Sequence, residues 1–269
     1  MANDKFHSIM YYINSVFTIW EREVIRYTRD KFRIIPTIFQ PIMFLVIFGA
    51  GLRGPLASSN LGVDFVKFMY PGIIAMNVMG IAFFSSISTV WDREFGFLKE
   101  ILVAPVPRSA IVLGKALGAT TIASTQALIL LVIAPFIGIS IHPLIVVRLF
   151  LFMLLLSFAI SGMSLVIASI MKTMESFGVL MQLFIFPMFF LSGAFFPLTS
   201  APNWMMVLSR INPLTYGVDA ARQIILGTQV DPGVIAKLVL HPIYIDALFL
   251  VVFSAIMVSI SVWAFNRKD

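Results

Sequence analysis

The run "LIVVRLFLFMLLLSFAISGMSLVIASIM", residues Leu144 to Met171, holds a single charged side chain, Arg148, near its start. It exceeds the about 20 apolar residues that a helix needs to cross the hydrocarbon core of a bilayer. The surrounding composition agrees: 59% of the 269 residues are hydrophobic and only 12% charged, with 26 Phe, 15 Met and a mean hydropathy of +0.98. A soluble domain of this length could not hide so much apolar surface. The sequence therefore reads as a polytopic membrane protein. Working outward, comparable runs cover Ile34 to Leu52, Met69 to Val90, Leu113 to Ile139, Phe177 to Phe196 and Ile243 to Phe265, which predicts an all-α fold of six spans.

The charges orient it. With the amino terminus inside, 13 of the 19 Lys and Arg residues fall on the inner side, and only Arg53, Lys67, Arg148, Arg210, Arg222 and Lys237 on the other. That asymmetry places both termini in the cytoplasm. It also accounts for the formal charge of +6 and the pI near 9.7, so nucleic acid is not implied as a partner. There is no cysteine, hence no disulfide and no thiolate chemistry. The first long apolar run begins beyond residue 30, after mixed charge, so no cleavable signal peptide is expected.

The organisation that follows has a cytoplasmic amphipathic helix over residues 1–33, a transmembrane domain over 34–265 and a tail over 266–269. In the first part Ile9, Ile13, Val16, Phe17, Trp20, Val24 and Tyr27 recur at helical spacing, with Asn14, Glu21, Arg22, Arg26 and Arg29 on other faces. Such a helix lies in the membrane interface. Pro36 and Pro41 then favour a kink in the first span. The loop over 91–113 is charged and stiff. Trp91 is an interfacial anchor. Asp92, Arg93, Glu94, Lys99 and Glu100 decorate a predicted helix whose Phe95, Leu98 and Leu102 form an apolar ridge; it ends before Pro105, and Ser109 caps the next span. The outer loop over 197–242 holds two apolar runs too short to span, read as re-entrant helices. Asn212 caps the second, Pro213 opens it and Gly227 stops it. Asp219 and Arg222, three apart, are expected to pair as a structural clamp.

"EILVAPVPRSAIVLGK", "LSGAFFPL", Pro202 to Trp204 and "INPLTYGVDAARQIILG" together resemble the permease subunit of type-2 ATP-binding-cassette exporters, over nearly the whole chain. The resemblance implies a half-transporter. Two copies or two related permeases form the pathway, and separate cytoplasmic ATPase subunits bind ATP and Mg, so this chain needs no cofactor of its own and is no enzyme. It also implies that Glu94 to Val103 is the coupling helix, with residues 9–30 as the connecting helix beside it. Glu94, Phe95, Leu98, Lys99, Glu100 and Leu102 are then the candidate ATPase-coupling residues. Asn212, Pro213, Tyr216, Asp219 and Arg222 are the candidate outer gate.

The residues agree that the motor lies elsewhere. A phosphate loop needs G-x-x-x-x-G-K-[ST], and Gly114-Lys115 is followed by Ala116, with Ser109 where the first glycine belongs. A secondary transporter would place ionisable groups near mid-membrane, whereas Arg148, Lys172, Glu175 and Asp246 all sit near span ends. His7, His142 and His241 form no HExxH and no carboxylate-histidine cluster on any span, which argues against an intramembrane enzyme. A non-transporting scaffold is the remaining alternative. Asn77, Gly80, Phe84 and Ser88 in span two, and Gln182, Ile185 and Phe189 in span five, form stripes that either line a pathway or pack helix on helix. No basic cluster awaits a phosphate-rich head group inside the membrane. Drug-like or lipid-like cargo therefore leads over polysaccharide or a lipid-linked glycan.

Overall fold

Asp30 separates helix α1 (Ala2–Arg29) from α2 (Lys31–Leu56), and the chain bends there by 69°. The structure, a computed structural model, describes residues 2–56, 63–97 and 106–267. It continues through α3 (Phe65–Ser85), α4 (Ile87–Glu94), α5 (Arg108–Leu131), α6 (Pro143–Ile170) and α7 (Met174–Phe190). Short helices α8 (Asn203–Ser209), α9 (Pro213–Leu226) and α10 (Pro232–Leu238) then lead to α11 (Ile243–Arg267). Among the described residues there is no strand.

Among the described residues three helical runs are long and apolar enough to cross a membrane, Phe65–Glu94, Pro143–Ile170 and the run that ends at Arg267, and the bent pair Ile9–Arg29 with Ile34–Phe48 would make a fourth. The apolar window of the first is 78% buried and that of the third 22%, so α3–α4 is the central rod and α11 a peripheral one. α7, with 17 residues, is shorter. Helices approach closely where side chains are small. Gly162 of α6 lies against Met257 and Val258 of α11, and Gly72 of α3 against Ala194. Between the helices Ser86 bonds Ser164, Ser124 bonds Ser157, and the Tyr70 hydroxyl donates to the Leu130 carbonyl.

The prolines of α2 do not break it. Pro41 has no N–H for the carbonyl of Thr37, four residues back. Asn77 of α3 supplies the missing donor: its Nδ2 stands 2.7 Å from that carbonyl oxygen. A residue expected on a pathway or packing stripe thus repairs a proline gap in the neighbouring helix. Asn77→Leu should cost about 1 kcal/mol, the usual range for a buried carbonyl left bare being about 1–3. Pro41→Ala in the same chain should restore most of the loss by returning the helical N–H. Denaturant titration in detergent measures both, and a double variant no more stable than Asn77→Leu would remove this account of Asn77.

Candidate functional site

The site has two nodes, one at each end of the α3–α4 rod. The first is built on an i, i+4 glycine pair of α5. A Cβ on Gly114 would meet Ile19 at 2.7 Å, and one on Gly118 would meet Glu23 at 2.7 Å, so α1 lies directly on α5. Trp20 Nε1 bonds Thr121 Oγ1 across the contact and the Tyr12 hydroxyl bonds Ser109 Oγ. This close crossing brings Glu23 to Lys115, whose Nζ stands 3.1 Å from Glu23 Oε1, 3.0 Å from Asp92 Oδ2 and 3.2 Å from Ser88 Oγ. All three ionic side chains are at most 5% exposed. Arg22, at 3.0 Å, and Arg26, at 3.7 Å, reach Asp92 from the solvent side. A buried ionic knot therefore joins α1, α4 and α5.

The end of α4 extends the knot to two more helices. Arg93 donates to the carbonyls of Ala168, Ser169 and Met171, where α6 ends and needs cationic partners. Glu94 accepts from the Met174 N–H, where α7 begins and favours an anion. α4 then stops. Gly96 has φ of +85°, a left-handed conformation in which glycine is at home. Trp91, Phe95 and Phe97 remain exposed beside this turn, and the Arg26 guanidinium lies over the Trp91 ring.

Several expectations change here. Asp92, Arg93 and Glu94 do not decorate a separate loop helix; they end the rod itself, with Asp92 buried, Arg93 half-buried and Glu94 exposed, and each bonds a neighbouring helix. Ser109 lies within α5, whose N-cap residue is Pro107 with no side-chain cap. Ser88 is buried and its Oγ accepts from Lys115 Nζ. Phe84 and Gln182 are exposed and Phe189 half-buried. Leu98, Lys99, Glu100 and Leu102 lie outside the described residues. On α1, Val16, Trp20, Val24 and Tyr27 face the bundle at least in part, whereas Ile9, Ile13 and Phe17 are exposed. The knot itself was not anticipated from sequence, although the Gly114 to Gly118 spacing is the small-residue signal of a close helix crossing.

The second node is centred on α9, which is almost wholly buried against α3, α6 and α11. Asn212 Oδ1 caps it through the Leu214 N–H, its Nδ2 reaches the Met188 carbonyl, and Pro213 is the first helical residue, as expected. Gly217 packs on Leu156, where any side chain would collide. Tyr216 stacks on Phe249 with ring centroids 3.7 Å apart. Asp219 and Arg222 form no ion pair with each other. Asp219 accepts the backbone N–H groups of Leu240 and His241 at 2.9–3.0 Å. Arg222 donates to the carbonyls of Gly193 and Leu238 and lies 4.1 Å from the Phe68 ring centroid. Both clamp α9 to backbone rather than to one another. Burial pushes the Asp219 carboxyl upward against the pull of the His241 and Leu240 N–H groups and of Arg222, and pushes the Arg222 guanidinium down to about 10. Contrary to the expectation that the histidines join no carboxylate cluster, His241 Nδ1 stands 3.9 Å from Asp219 Oδ2 and 3.8 Å from Asp246 Oδ1.

This is an all-helical membrane protein whose polar side chains tie helices together at both ends of a central rod. Residues 14–226 match the ABC-2 type transporter family, and the chain belongs to it. It is 33% identical over 218 residues to a putative transport permease, ycf38, of Cyanophora paradoxa, with 79% of this chain and 74% of that one covered. The inner membrane transport permease YadH of Escherichia coli strain K12 is 27% identical over 242 residues, covering 89% and 93%. The probable multidrug ABC transporter permease YbhR of the same strain is 32% identical over 175 residues, covering 62% and 46%.

Proposed function

We propose that this chain is the permease subunit of an ATP-driven exporter. Two copies, or this copy and a related one, enclose the pathway, the cargo is hydrophobic or amphipathic, and separate cytoplasmic ATPase subunits bind ATP and Mg. The observation that carries this reading is the end of α4. There Asp92, Arg93 and Glu94 fasten the rod to α1, α5, α6 and α7 while Trp91, Phe95 and Phe97 stay exposed. A subunit that gripped those aromatics would move five helices together. A relative named a probable multidrug ABC transporter permease supports the drug-like cargo, and one named an inner membrane transport permease supports the membrane placement.

Burial of apolar groups is the stronger term in such docking: a large apolar side chain contributes roughly 1.5–3 kcal/mol on full burial and an exposed charge pair about 0–1. Phe95→Ala with Leu98→Ala should therefore release the ATPase or uncouple transport, and Lys99→Ala alone should change little. Copurification and transport into inverted vesicles, at equal membrane levels, measure this. A double variant with normal partner binding and normal transport would refute the docking surface.

The six-span topology with both termini in the cytoplasm belongs to the same proposal. Cysteines placed at Ser58 and Thr228 should react with an impermeant thiol reagent in intact cells, and one at Lys172, which is exposed in the turn between α6 and α7, should not. The chain has no native cysteine to confuse the signal. Labelling at position 172 from outside would require a different arrangement of spans.

A further inference from the structure

Asp219 on α9, His241 in the segment before α11 and Asp246 in the first turn of α11 bring three ligand atoms within 4.8 Å of one another. Two of those atoms lack partners. Asp246 is fully buried and its Oδ1 accepts no hydrogen bond, although it faces His241 Nδ1, which is also buried and unbonded. The other atoms of the same groups are held in place. Asp246 Oδ2 accepts from Gln223 Nε2 at 3.1 Å, and Asp219 is fixed by the N–H groups of Leu240 and His241. The His241 ring stacks on Tyr216. Orientation of ligands by a surrounding shell of hydrogen bonds is what a metal site requires.

The charge balance points the same way. Two carboxylates this close repel each other in a buried setting. Arg222 does not neutralise them by contact, because its guanidinium is given to Gly193, Leu238 and the Phe68 ring. The ion pairs of both carboxylates among the described residues are with His241 alone. A neutral imidazole with two carboxylates suits a divalent first-row cation of the zinc class, which takes nitrogen and oxygen ligands at about 2.0–2.2 Å and so holds them roughly 3.3–3.5 Å apart. His241 Nδ1 stands 3.8 and 3.9 Å from the two carboxylates and all three ligand atoms lie within 4.8 Å of one another, so ligation draws the imidazole in by a few tenths of an ångström and the carboxylates together by up to roughly 1.4 Å. His241 is one quarter exposed, which leaves a way in and a fourth position for water.

We propose that Asp219, His241 and Asp246 form a binding site for a zinc-class divalent cation that pins α9 to the start of α11. The site is independent of the ATPase docking surface and of the cargo. The test uses the full-length protein, purified in detergent without a polyhistidine tag, stripped with chelator and titrated with Co2+ alone. The wild type should take up one Co2+ per chain with the visible absorption of a four-coordinate nitrogen and oxygen site, and Zn2+, but not Mg2+, should displace it. His241→Gln and Asp246→Asn should each weaken Co2+ binding by about 10–100-fold or more, and His142→Gln should leave it unchanged. Should Asp246→Asn fail to fold, the partly exposed His241→Gln decides. Absence of saturable Co2+ uptake by the wild type, or equal uptake by His241→Gln, would overturn the proposal.

Discussion

Lys115→Met should destabilise the protein by about 3–5 kcal/mol, because it leaves Glu23 and Asp92 buried without their shared cation. Methionine fills a similar volume, so a cavity contributes little and the loss reads the charge. Arg22 and Arg26 still reach the Asp92 Oδ1 side, but nothing replaces the ammonium at Glu23. The consequence is local first. α1 should detach from α5 before the rest of the bundle unfolds, seen as new protease cleavage within residues 2–29 and a lowered denaturant midpoint in detergent. Glu23→Gln added to Lys115→Met should recover part of the loss by removing the stranded charge. A Lys115→Met protein with wild-type stability and an intact α1 contact would mean that the knot is not structural.

The second large effect is at Arg222. Arg222→Met removes the donor to the Gly193 and Leu238 carbonyls and the cation over Phe68. Hydrogen bonds from a charged group are worth about 1.5–3 kcal/mol each, and the bared carbonyls stay buried, so a loss of about 3 kcal/mol is expected. Arg222→Lys should recover little. An ammonium is a point donor on a flexible stem and cannot hold two divergent carbonyls and an aromatic face as a planar fork does. Unfolding titrations of the three proteins test this, and a lysine variant as stable as wild type would show that charge alone, not the fork, holds α9.

Both effects show what kind of information the chain carries locally. Leu144 to Met171 declares a span because length and hydropathy belong to one continuous segment. Asn212, Pro213 and Gly227 declare the limits of α9 for the same reason, since a cap and a first-turn proline act within three or four residues. The motifs around Gly193 and Arg222 also sufficed to indicate the family, and the structure seats them against each other.

The partners of the charged side chains were not legible in that way. The i, i+3 spacing of Asp219 and Arg222 permits a pair, yet each found backbone groups beyond α9 that water could not serve. Lys115 reads as a loop charge near the start of a span. Its partner Glu23 is 92 residues away in sequence and Asp92 is 23 away. Asp246 and His241 read as span-end residues until Asp219 of α9 is folded against them. Membrane class, helical runs and caps are legible along the chain, because hydropathy and capping are properties of neighbouring residues. Which charges meet emerges on folding alone, because that depends on how closely two helices cross, and the crossing is set by Gly114, Gly118 and Gly217 against side chains far off in the chain.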